Sequence, residues 1–154
     1  MVMKLKTFNF QDCIKEGLIR NIPSSTDKSN ASINASLRWL QESEKGLKNG
    51  MFNSSVLASY LGMFHAARAI LFYDGFREKS HYCIARYLEE KYVKNKLLDN
   101  KYVNLLDHYR ELRHNSQYDL SFFASKEEAK NMLDCSKEFV DQIINLLEKK
   151  KAKK

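Results

Sequence analysis

The chain has 154 residues, which suits one domain built on one core. Hydrophobic residues at 44% and charged residues at 29% make an ordinary soluble balance, and a single proline leaves helices largely uninterrupted. The formal charge of +7 invites nucleic acid as a partner, but five lysines lie in 149-KKKAKK-154, so the body carries only +2 and bulk charge decides nothing.

Between a few turn-forming stretches, apolar residues recur at helical spacing. Phe10, Ile14 and Leu18 step by four and predict a short first helix over 8–20, with Pro23 ending it or following its end. Ile33, Leu37, Leu40, Glu44 and Leu47 continue that step on a second helix, which stops at Asn49-Gly50. The stretch 55-SVLASYLGMFHAARAILFYDG-75 is apolar on every side. With His65 and Arg68 near its middle, it reads as the central helix of a soluble bundle and not as a membrane span, and Asp74-Gly75 stops it. A fourth helix over 80–93 carries Ile84, Tyr87, Leu88 and Tyr92 on one face, and a fifth over 100–114 carries Tyr102, Leu105, Leu106, Tyr109 and Leu112. The sixth opens at 125-SKEE-128, where Ser125 and Glu128 form a capping box, and runs through Met132, Leu133, Val140, Ile143 and Leu147. No stretch alternates long enough for a sheet. An all-α, antiparallel up-and-down bundle with four or five core helices is expected, one domain over 1–148 followed by a solvated lysine tail over 149–154.

The search for chemistry removes most classes. His65, His81, His108 and His114 form no metal-ligand spacing, since His108 and His114 fall on different faces of one helix, so no metal is expected. No phosphate-cradling glycine motif and no nucleophilic triad is present, and no cofactor is expected. Cys13, Cys83 and Cys135 are far apart and odd in number, so a disulfide framework is not indicated and a reducing cytoplasm is the expected location. The opening MVMKLKTFNFQD lacks the apolar run of a signal peptide.

That leaves 109-YRELRHNSQYDL-120. At about 100° per residue, Arg113 falls roughly 20° from Tyr102, inside the apolar stripe, while Arg110 and His114 lie on its flank. Two readings of Arg113 stand. It is either a buried structural cation paired with Asp119 or a helix-end carbonyl, or it meets a phosphate with His114 and Tyr118 beside it. Arg68 is expected to supply a second cation to the same seam or to cap a neighbouring helix. His81 is expected to make only an end-of-helix contact, and the core-spaced aromatics are not read as a base-stacking platform.

The segments 39-WLQESEKGLKNGMFNSSVLASYLGMFHAARAILFYDGFREKSHYCIARYLEEKYV-93 and 108-HYRELRHNSQYDLSF-122 resemble the HEPN superfamily, and 13-CIKEGLIRNIP-23 resembles its archaeal stand-alone members. The resemblance implies four main helices with short extra ones, often in a homodimer. Many such proteins cut RNA without metal through an R-x4-6-H motif, and some are toxins neutralised by a minimal nucleotidyltransferase. Here Arg113 matches the motif arginine and Tyr118 stands where the histidine would be, giving R-x4-Y; His114 follows Arg110 too closely to replace it. A phenol with a pKa of about 10 is a poor base at neutral pH but still donates to a phosphate. The expected function is therefore binding of RNA or a nucleotide at Arg110, Arg113, His114, Tyr118 and Arg68, beside a nucleotidyltransferase partner. The alternatives are a metal-independent endoribonuclease toxin and a structural interaction module.

Overall fold

The structure, a computed structural model, describes residues 8–153. The reading of the first residues as lacking a leader, and the last lysine of the tail, therefore lie mostly or wholly outside the described residues. The elements in order are α1 (Phe10–Lys15), β1 (Ile19–Asn21), α2 (Thr26–Lys48), α3 (Phe52–Asp74), β2 (Phe76–Glu78), α4 (His81–Leu88, extended by a π-helical turn over Glu89–Val93), α5 (Asn100–Tyr118) and α6 (Lys126–Ala152). The architecture is the expected helical bundle. Helix α3 is its axis: α2, α5 and α6 all pack against it. Val56, Met63, Ala66, Ala67, Ala69, Ile70 and Leu71 of α3 are fully enclosed. It is long and apolar enough to cross a membrane, but 72% of its apolar window is buried inside the protein. Gly75 ends it with a φ of +89°, a left-handed conformation that a side chain would disfavour.

Four expectations are corrected. Helix α1 stops at Lys15, because Gly17 takes a φ of +70° and turns the chain into β1, well before Pro23. Two three-residue strands are present among the described residues, paired antiparallel with Arg20 opposite Arg77; they are too short to leave a period-two signature. Helix α5 continues one turn past 114 to Tyr118, through residues that resemble a turn. The buried face of α2 is Ser29, Ser32, Ser36, Leu40, Ser43 and Gly46, while Leu37 points to solvent and Ile33 and Leu47 are half-buried.

That serine face explains the close α2–α3 contact. Ser32 donates to the His65 carbonyl and Ser36 to the Gly62 carbonyl, both at 2.6 Å. Ser43 sits among Ser55 and Ser59, with hydroxyl contacts of 2.9 and 2.6 Å. The small hydroxyls of Ser32, Ser36 and Ser43, satisfied by the facing helix, let the two backbones approach, and a Cβ on Gly62 would come 2.6 Å from Leu40.

Cys13 and Cys83 form a disulfide between α1 and α4, with Cα atoms 5.9 Å apart, and only Cys135 is free. Seventy residues separate the pair in sequence, which is why spacing did not reveal it. The cytoplasmic expectation rested on unpaired cysteines and loses that ground.

Candidate anion site at the α3–α4–α5 seam

Helix α5 brings Arg113 to the seam, as its angular position predicts. The guanidinium lies over the Tyr60 ring of α3, 5.1 Å from its centroid. Its Nη1 donates to Gln117 Oε1 one turn on, at 2.8 Å, and its Nη2 is 3.4 Å from His81 Nδ1 at the start of α4. Its Nε is buried and donates to nothing among the described residues. An unmade hydrogen bond of this kind costs about 1–3 kcal/mol.

His81 is the residue that sequence reasoning undervalued. Its ring stacks on Phe64 at 4.0 Å between centroids, and Tyr60 Oη lies 3.0 Å from Nδ1. Burial and then the positive charge of Arg113 lower its pKa to about 4, so the imidazole is neutral at pH 7. Arg113 can only donate, so Nδ1 is the acceptor and the ring proton sits on Nε2. Burial also pushes the Tyr60 phenol up to about 12, and Tyr60 remains a donor.

Beside this lies a second cationic group. Asp107 of α5 accepts from Arg110 Nη1 at 2.6 Å and from Arg86 Nη2 of α4, so one carboxylate holds two guanidiniums. Arg86 also donates to Tyr82 Oη at 3.0 Å, and both arginines lie over the Tyr82 ring. A cleft of about 310 Å³ opens here, lined by Arg110, Glu111, Arg113, His114 and Asn115. Within α5 the Asp107–Arg110 pair is legible as an i, i+3 spacing. Arg86, Tyr60 and His81 come from other helices and carry no local signal.

Of the remaining predicted residues, His114 lines the cleft from its exposed side, and the others lie away from it. Arg68 does not reach the cleft: its Nε and Nη2 donate to the two carboxylate oxygens of Glu78 at 2.9 and 2.7 Å, a bidentate pair fixed by the α3–β2 turn. Glu78 is nearly fully buried, so the Arg68 fork is spent on structure. The expected Arg113–Asp119 pair is absent among the described residues, because Asp119 accepts instead from the amide and hydroxyl of Ser121. His114 and Tyr118 are both exposed, their rings 4.7 Å apart, one helical turn from each other at the end of α5. No group of three or more His, Cys, Asp or Glu side chains is placed to hold a metal among the described residues.

The sequence model of the HEPN domain matches residues 29–149, which takes in α3 to α5, most of α2 and α6, and every residue of the seam. No curated protein matches the chain.

Proposed function

Since the chain belongs to the HEPN domain family, we propose that it binds a phosphate-bearing ligand, RNA or a nucleotide, in the Arg113 cleft, beside a minimal nucleotidyltransferase partner. The carrying observation is the Nε–Nη2 edge of Arg113. Arg68 gives that same edge to Glu78, whereas Arg113 forms no ion pair among the described residues: its Nε is buried without a hydrogen-bond partner among them, and Nη2 has only a long contact with His81. A phosphate oxygen pair has the shape to fill such an edge. Arg110 and Arg86 stand beside it, but Asp107, Glu89 and Glu111 pair with these two, which leaves Arg113 as the cation open to an anion. Arg113→Lys keeps the charge and removes the fork, so it is expected to weaken binding of an adenine mononucleotide or a short single-stranded RNA about tenfold, with an unchanged melting temperature. Arg113→Ala should weaken it further. Calorimetric titration checks both, and unchanged affinity in both variants overturns the reading.

A second reading, metal-independent RNA cleavage, is favoured by one observation: a neutral imidazole, His81, stands 3.4 Å from Arg113. The motif position itself holds a tyrosine, while the neutral imidazole from α4, its Nδ1 engaged by Tyr60 and Arg113, offers its Nε2 hydrogen to a scissile phosphate rather than acting as a base. Cleavage in EDTA, lost in His81→Asn and retained in Tyr118→Phe, is its expected signature. RNA left intact after prolonged incubation with pure protein sinks it.

The first reading, ligand binding at Arg113, includes a homodimer. Its support is the apolar surface at the α5–α6 connection, where Leu120 is 99%, Phe123 81% and Tyr118 66% exposed, next to the arginine cleft.

A further inference from the structure

A cleft of about 460 Å³ opens between the last two turns of α6 and the turn that leaves α4. Its apolar lining is Leu146, Ala152 and Leu97, of which Leu146 is buried and Leu97 is 55% exposed. Its rim is cationic. Lys96, Lys149 and Lys153 line it, and none of the three forms an ion pair among the described residues. Lys150, the fourth cation, is already held by Asp74 at 3.1 Å and lies over the rings of Tyr73 and Tyr92. Asp74 also accepts from Tyr87 and Tyr92, so this wall is tied to the core.

The opposite wall is equally fixed. Lys96 has a φ of +60°, a left-handed conformation that costs a residue with a Cβ about 1–2 kcal/mol. Three backbone hydrogen bonds hold it there: Lys96 N to Val93 O at 3.0 Å, and Leu97 N and Leu98 N to Tyr92 O at 2.8 and 3.3 Å. The strained turn places a cation and an exposed leucine side by side on the cleft. Of the C-terminal lysines, Lys150 is held by Asp74 and Lys151 donates to Asn30 Oδ1 at 2.8 Å.

We propose that this cleft docks an acidic peptide segment of a partner protein, one aliphatic side chain seated on Leu97, Leu146 and Ala152 and its flanking carboxylates meeting Lys96, Lys149 and Lys153. An apolar seat within a cationic rim is complementary to that chemistry. Nucleic acid matches only the rim. No aromatic ring lines the cleft, since Tyr73 and Tyr92 are buried beneath Lys150, so bases have nothing to stack on. A lipid surface would need a continuous exposed apolar face, and of the two leucines of the cleft only Leu97 is exposed while Leu146 is buried.

The test uses the full chain labelled with ¹⁵N and three probes: the capped peptide Asp-Glu-Leu-Leu-Glu-Asp, its analogue with both leucines replaced by serine, and a uridine hexanucleotide. The leucine peptide is expected to shift the amide signals of Leu97, Leu146 and Ala152, and to bind about tenfold more tightly than the serine analogue. Leu97→Ser, at an exposed position, should lose the same tenfold without a change in melting temperature, and the double variant Lys96→Glu with Lys149→Glu should lose at least as much. The proposal is overturned if millimolar leucine peptide leaves those signals in place, or if the serine analogue or the oligonucleotide binds there equally well.

Discussion

A proton on His81 would set a second cation 3.4 Å from the Arg113 guanidinium and remove the acceptor that Tyr60 and Arg113 share. Glu78 opposes this weakly, while Arg68 and Arg110 reinforce it. The folded pKa of about 4 lies below the ordinary 6.5, so between these values the unfolded chain binds more protons than the folded one. Stability is therefore highest above pH 6.5 and falls as the pH drops towards 4. The imidazole is part-exposed, and screening reduces its share to the order of 1–2 kcal/mol. His65 is depressed by burial and contributes with the same sign, so the measurement is a difference: His81→Asn should flatten the fall in melting temperature between pH 6.5 and 4.5 relative to the unaltered chain. At this scale the sequence was readable where one helix suffices. The inward aim of Arg113 follows from the 3.6-residue repeat, but the Arg68–Glu78 pair depends on a turn at Gly75 that folds β2 back along α3.

Between elements, the α2–α3 contact is held by hydroxyls against carbonyls. Ser43→Val should replace a satisfied hydroxyl with a bulkier methyl pair among Ser55 and Ser59, at a cost of about 2–3 kcal/mol. For a chain of this size that lowers the melting temperature by roughly 4–12 °C, measured by calorimetry. Ser43→Ala, which leaves no bulk, should cost less. The serine face also explains why α2 was found but its orientation was not. Helix limits were legible from Asn49-Gly50 and from the cap at Ser125, because both act through local backbone chemistry. A stripe of small polar residues, however, scores as solvent-facing in any polarity pattern, and only the partner helix makes it the inside.

For the whole molecule, the proposed dimer has a direct consequence. Leu120→Asp with Phe123→Ser should convert a dimer to a monomer in sedimentation equilibrium, with little loss of monomer stability, since both side chains face solvent in the single chain. A chain that is monomeric at high micromolar concentration before substitution counts against the dimer. The bundle itself was legible because its helices are long and their apolar spacing is regular. The cross-helix groups at the seam were not, because Arg86, Tyr60 and His81 meet Asp107 and Arg113 only after α3, α4 and α5 have packed. The Cys13–Cys83 bond adds one further property. It joins α1, which precedes the matched residues 29–149, to α4 in the middle of them. A single backbone cut between residues 22 and 25 would thus yield two polypeptides that migrate as one on a gel without reductant and as two with it. The helical body and its N-terminal segment form a covalent ring rather than a linear string.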